Sequence, residues 1–285
     1  MEIHATIEAL LHYANAHLLL DELDYVYSRN RILSLLKLDS FELYEVNDDE
    51  IDAMTGPAEI LGALCNYAVS QKIITESEKC DFSRRLMDCV LKRPGEIADI
   101  FGRLQPLKAL EWLNDYAQKS GYVKPAAKRW EAKATKGKLE IAFSGSDCVG
   151  SVCGIAAVEE KKKKIKYPAC KKCRDNEGFG SSLNLRTVPM ELYGERMFFC
   201  FKNRATLVNQ GMIVSEYHRP LQIDKTSLNK MFDFAAAYPK WMIAAAPSDH
   251  ESYLVSYRQT PFNKAGEIAR FKSKEYPYIA ISTVE

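Results

Sequence analysis

Tyr167-Pro-Ala-Cys-Lys-Lys-Cys-Arg-Asp-Asn-Glu-Gly-Phe179 separates two kinds of sequence and so decides the fold. It sets two thiols at the Cys-x-x-Cys spacing of a metal knuckle, just ahead of a polar, glycine-containing turn. Downstream, Ser215-Glu-Tyr-His-Arg-Pro220 supplies an imidazole. Cys170, Cys173 and His218 are then three ligands of a structural Zn²⁺ site, since two thiolates and an imidazole suit that ion. His250, Asp249, Cys200 and water are all open as the fourth. The competing reading is two reduced surface thiols and an unrelated histidine. Lys171 and Lys172, between the thiols, are expected to lower their pKa values.

Before the knuckle the apolar spacing is helical. Ile7, Leu10, Leu11, Ala14, Leu18 and Leu19 share one face, and Leu33, Leu36 and Leu38 follow in the same style. Further helices are expected over 58–72, 76–91, 96–105 and 107–119, the last stopping at Gly121. Beyond it the apolar runs are short and strand-like: 138–143, 197–201, 211–215, 241–245, 253–257 and 276–281. Only 225–237 reads as a helix there. Helices first and strands afterwards predict α+β with a mainly antiparallel sheet, divided into a helical domain over 1–123 and an α+β domain over 124–285. The chain carries neither a P-loop nor a GxGxxG signature.

Composition narrows the function classes. At 285 residues with 47% hydrophobic and 27% charged side chains, the chain can bury a real core. A net charge of +1 argues against a nucleic-acid scaffold. Glu8, Asp21 and Glu22 interrupt what a signal peptide would need to keep apolar, and no run approaches the roughly 18 residues of a membrane span. The eight cysteines therefore read as reduced thiols of a cytoplasmic protein, with Cys65, Cys80 and Cys89 buried in helices.

Several stretches recur as an ordered set. They are Tyr27-Ser-Arg-Asn-Arg-Ile-Leu33, Arg93-Pro-Gly-Glu-Ile97, the knuckle with Asn176-Glu-Gly-Phe179, Glu216-Tyr-His-Arg-Pro220, and Met231-Phe-Asp-Phe234 followed by Tyr238-Pro239. Together they resemble the N-terminal half of the type II galactose-1-phosphate uridylyltransferases, and the likeness covers nearly the whole chain. The resemblance implies a histidine-triad-like antiparallel half-barrel with a packed helix. It also implies uridylyl transfer between UDP-glucose and galactose 1-phosphate through a uridylyl-histidine. The nucleophile is the second histidine of a His-x-His-x-Gln motif, and in zinc-bearing members the first completes a Cys, Cys, His, His site. Asn176, Glu177 and Asn263 are the substrate-binding candidates, UDP-hexose or hexose 1-phosphate the ligands, and a homodimer the assembly.

The catalytic motif departs from that pattern. Read without gaps from Met231 and Tyr238, its histidines fall on Gln259 and Pro261 and its glutamine on Asn263. The family's glycine-rich stretches fall on Ala244-Ala-Ala246 and Tyr253-Leu-Val255. Proline offers no nucleophile, and losing a covalent nucleophile removes several orders of magnitude of rate. A catalytically impaired member, or a binding or regulatory remnant, is the expectation. Ser248-Asp-His250 is the exception: after Pro247 it reads as a surface loop histidine, or else His250 is the catalytic nucleophile or the fourth metal ligand. An active transferase using His250 or a separate second half is one alternative. A zinc-stabilised protein- or RNA-interaction module is another.

The remaining candidates have plain readings. His4, His12 and His17 suit an ordinary helix surface, Asp21, Glu22 and Asp24 a helix start. The basic stretch 124–138 around Trp130 and the charge run 159–166 suit solvated connectors. Tyr25, Tyr27, Arg29 and Arg31 are compatible with a partner or a phosphate, and equally with an ordinary helix surface.

Overall fold

The computed structural model describes residues 2–123, 131–135, 138–142, 167–168, 170–203, 205, 207, 209–245 and 247–257, with 131–142 as backbone only. Seven α-helices fill the first part: α1 Ile3–Leu18, α2 Tyr25–Leu36, α3 Asp48–Asp52, α4 Ala58–Ser70, α5 Lys79–Asp88, α6 Pro94–Arg103 and α7 Pro106–Lys119. Their ends follow local chemistry. Proline opens α6, and the Arg93 amide donates to the Glu96 carboxylate at 2.8 Å, closing a capping box. The α1 face expected from spacing is the buried one, with Ile7, Leu10, Leu11, Ala14 and Leu18 all excluded from solvent. Leu19 departs from it: at φ 60° it leaves the helix and is exposed. His12 and His17 are not plain surface residues either. Their ring nitrogens meet Asp48 at 2.7 Å and the Ile51 carbonyl at 2.9 Å, tying α3 to α1.

The second part is a five-stranded antiparallel sheet in the order β3-β4-β5-β7-β6, beside a separate hairpin of β1 Glu131–Thr135 and β2 Lys138–Ala142. The sheet strands are β3 Val188–Leu192, β4 Glu195–Phe201, β5 Gly211–Ser215, β6 Trp241–Ala245 and β7 Ser252–Tyr257. Helix α8, Lys225–Ala237, begins where the Asp224 carboxylate accepts the Ser227 amide at 2.8 Å. The fold is α+β, as the order of helical and strand-like runs predicts.

Strand β3 was not legible as a strand, because Pro189 interrupts the run. The register explains its tolerance: β3 is an edge, where a missing N–H costs nothing on the open side. It joins β4 through Tyr193-Gly194, both at positive φ (51° and 72°) as a primed two-residue turn requires. Asp233 on α8 holds that turn, accepting the Tyr193 amide at 2.7 Å.

The pleat sorts the sheet into two faces. Met197, Phe199 and Phe201 of β4, Ile213 of β5, Trp241 of β6, and Tyr253 and Val255 of β7 join Phe234 and Tyr238 in the common core. Phe199 meets Phe201 and Trp241 edge-on at 4.8 and 6.3 Å, a favoured aromatic geometry. The opposite face carries Phe198, Cys200, Met212, Val214, Met242, Ala244, Ser252, Leu254 and Ser256, and it is on this side that the knuckle lies. Cys65 and Cys89 are buried free thiols as expected, but Cys80 is half-buried and disulfide-bonded, not free. The sequence-derived strand at 276–281, Trp130 and the charge run lie outside the described residues, as do residues 259–263. No helix among the described residues is long and apolar enough to cross a membrane.

Candidate metal centre

The knuckle folds through its own backbone. The Cys173 amide donates to the Cys170 carbonyl at 3.2 Å, and the Lys172 amide points at the Cys170 Sγ at 3.3 Å. Asn176 then closes the turn, its Nδ2 donating to the carbonyls of Cys170 and Cys173, each at 2.8 Å. Glu177 fixes the exit: its carboxylate accepts the Thr187 amide and hydroxyl, both at 2.7 Å. Asn176 and Glu177 thus hold the loop in the arrangement described, and Asn263 lies outside it.

Two histidines complete the group. His218 stands in the loop after β5, and His250 lies two residues before β7 begins. Cys170 Sγ lies 3.4 Å from Cys173 Sγ and 3.3 Å from His250 Nδ1. Cys173 Sγ lies 3.3 Å from His218 Nδ1 and 3.4 Å from His250 Nδ1. All four ligand atoms fall within 4.8 Å of one another. A tetrahedral Zn²⁺ with ordinary S and N bond lengths implies spacings of about 3.4–3.8 Å, so this cluster could bind a metal such as zinc. Both thiols are free. Cys200 and Asp249 stand outside the group, and the fourth member is His250.

His250 is not a surface loop residue. Only 2% of it is exposed, and the Leu221–Ser248 bridge pairs its loop with the segment after His218. Its Nε2 donates to the Ser215 carbonyl at 3.1 Å, which leaves the Nδ1 lone pair facing the thiols. Burial lowers its pKa, with the neighbouring His218 and Lys172 charges adding to the effect, so the ring is neutral and ready to coordinate. The lysines do not win at Cys173. Burial, with the Cys170 thiol next to it, pushes that thiol up to about 11, so a metal must displace a proton to bind there.

Behind the histidines lies a charge network that spacing gave no sign of. Lys230 of α8 is 1% exposed, and its Nζ donates to Glu195 at 2.9 Å and Glu251 at 2.7 Å. Glu251 also accepts Arg219 Nε at 2.6 Å and the Tyr253 hydroxyl at 2.9 Å, and Arg219 reaches Glu195 as well. Because Arg219 follows His218 and Glu251 follows His250, this network fixes the backbone at both imidazoles. The Glu251 amide donating to the Arg219 carbonyl at 2.6 Å joins the two loops directly. A lysine on α8 facing two acids across the sheet was readable only once the register was known.

Ser252, two residues beyond His250, opens β7 on the knuckle side of the sheet. Its hydroxyl accepts Lys172 Nζ at 2.9 Å. Val214 is its cross-strand partner, and Leu254 lies opposite Met212 and Ala244. Phe198, opposite Val214, carries the Arg174 guanidinium 4.2 Å from its ring centroid, so cationic groups border the apolar side chains of this face.

The chain is similar along its length to galactose-1-phosphate uridylyltransferases. It is 25% identical to that of Bifidobacterium longum over 320 residues, covering 100% of this chain and 61% of the relative. It is 25% identical to that of Clostridium acetobutylicum over 307 residues (99% and 61%) and 28% identical to that of Caldanaerobacter subterraneus over 258 residues (84% and 48%). The chain therefore spans about half to three fifths of the length of these curated relatives. No family model matches it, and no solved structure does.

Proposed function

We propose that this chain is a distant relative of the galactose-1-phosphate uridylyltransferases that binds a UDP-hexose or hexose 1-phosphate on the knuckle side of its sheet and transfers uridylyl groups weakly or not at all. The observation that carries this reading is the place of His250. In zinc-bearing members of the family the first histidine of His-x-His-x-Gln is a metal ligand, and here His250 is the imidazole beside the thiols. The motif then runs His250-Glu-Ser-Tyr-Leu254. In this reading the motif lies earlier than the ungapped register, which set it on Gln259, Pro261 and Asn263, outside the described residues. Ser252 takes the nucleophile's position and Leu254 the glutamine's.

The chemistry follows from those two residues. A neutral imidazole attacks phosphorus without first losing a proton and departs readily from the adduct. A serine hydroxyl needs a base to attack, and its phosphodiester is a poor group to hand on. Ser252 meets a lysine ammonium, which donates to it and does not deprotonate it. Leucine cannot hydrogen-bond a phosphoryl oxygen. His250 itself does not serve as the nucleophile in this reading, because its Nε2 is committed to the Ser215 carbonyl and its Nδ1 to the thiols. Cys170, Cys173, His218 and His250 would hold zinc. Bound there, zinc contributes folding free energy by fixing the knuckle to both histidine loops.

Calorimetric titration with UDP-glucose, coupled to intact-mass detection, tests the reading. Saturable binding with no increase in chain mass is expected. A uridylylated chain or measurable turnover refutes the impairment, and absence of binding refutes the ligand class.

A further inference from the structure

We propose a second binding site, in the cleft between α2 and α5, for a small phosphate ester bearing an aromatic ring. The cleft is open to solvent and offers about 540 Å³, within the range of small-molecule sites. Its walls are Tyr27, Asn30 and Arg31 of α2, Arg85 of α5, and Leu183 from the segment between the knuckle and β3.

Charge decides what it would accept. Asp88 lies in the lining together with Arg31 and Arg85. That carboxylate is already claimed: Arg31 Nη2 reaches it at 3.1 Å, Arg186 at 3.5 Å and Arg93 at 3.8 Å. One negative charge thus faces three guanidiniums, two of which approach from outside the cleft lining. Arg85 is exposed, lies 5.8 Å from the Phe82 ring, and forms no salt bridge among the described residues. Cys89, buried at the same wall, cannot offset the excess. The cleft is therefore cationic, and it adds the neutral amide of Asn30 and hydroxyl of Ser34 as donors. Guanidinium forks with neutral donors match a phosphate.

The volume is larger than an inorganic oxyanion needs, and the rest of the wall is apolar. Tyr27 is 60% exposed and has the Arg31 guanidinium 5.7 Å from its ring centroid, leaving an aromatic surface on which a flat ring can stack. Leu35 and Leu183 supply hydrocarbon beside it. The assignment does not depend on the sheet-side reading above, because none of the metal ligands or Ser252 lines the cleft.

Adenosine 5′-monophosphate is the probe, since it carries the ring and the phosphate but no hexose. Isothermal titration should give saturable binding in the submillimolar range, inorganic phosphate should bind more weakly, and adenosine should not bind. Arg85→Glu should weaken the nucleotide at least about tenfold. Arg84→Glu, at a side chain paired with Asp81 and absent from the lining, should leave it unchanged. Thermal melting of both variants controls for folding. The proposal is overturned if the nucleotide does not saturate, if Arg85→Glu binds as wild type does, or if Cys173→Ser abolishes binding that Arg85→Glu retains.

Discussion

Replacing Lys230 by methionine tests the buried charge network. Methionine keeps the length and apolar stem of lysine and removes only the ammonium, so the loss is electrostatic. The side chain is 1% exposed and serves two carboxylates of unlike burial, Glu251 at 6% and Glu195 at 37%. The Glu195 contact is more than a third exposed, so water screens it and its share is small. The Glu251 contact is not screened. Removing one partner of a buried pair costs about 3–5 kcal/mol, and because Arg219 and Tyr253 still reach Glu251 the lower end applies. At about 2–4 °C per kcal/mol for a chain of this size, Tm should fall by about 6–12 °C.

Calorimetry at pH 7 would read that fall, with exposed Lys240→Met as a control expected to change little. The pH arm has a definite sign. Glu251 lies below its ordinary value because hydrogen bonds from Lys230, Arg219 and Tyr253 outweigh the upward push of burial. Lys230 likewise lowers Glu195. Carboxyls depressed in the folded state contribute stability that is present above their unfolded pKa and lost as pH falls through the folded one. The wild-type advantage should hold from about pH 5 upward and shrink below about pH 4. Adding Glu251→Gln to the variant should recover part of the loss, because an uncompensated charge is its cause. A single variant melting within about 2 °C of wild type would show the network to be energetically idle and the reasoning wrong.

Three further outcomes are expected. Purified protein should contain close to one zinc per chain by elemental analysis, and chelation or Cys173→Ser should lower Tm while leaving the α-helical circular dichroism of α1–α7 largely intact. Gly211→Ala should cost about 1–3 kcal/mol in denaturant titration, since a Cβ there would stand 2.5 Å from the Phe199 ring and 2.9 Å from the Cys200 carbonyl oxygen. Tyr193→Asn should raise stability by about 0.5 kcal/mol, because asparagine tolerates the left-handed backbone that tyrosine holds at φ 51°; a loss would mean that the tyrosine ring matters more than the turn.

How much was legible depended on whether the signal was local. Helix α8 could be bounded from its apolar positions, and Gly211 to Ser215 from a short β-branched run between turn residues. Strand β3 was hidden because Pro189 argues against a strand unless the edge position is known, and tyrosine is not an expected residue at a primed turn. The two thiols and His218 were readable from spacing. The burial of His250 was not, because the contact that seats it, from its Nε2 to the Ser215 carbonyl, joins positions 35 apart. Burial at Cys173 likewise outweighs the lysines around it, and charge pattern alone contains no information on burial.

The strand order has a consequence for where the chain can be shortened. Ser252–Tyr257 comes last of the five strands in sequence yet lies in the interior of the sheet, with β5 on one flank and β6 on the other. Cutting the polypeptide ahead of Ser252 would therefore do more than trim a border. It would part β6 from the other strands, baring the backbone of β5 along one side and leaving β6 with side-chain packing, such as Trp241 against Phe199, but no strand beside it. Any fragment meant to retain this architecture must keep that wedge.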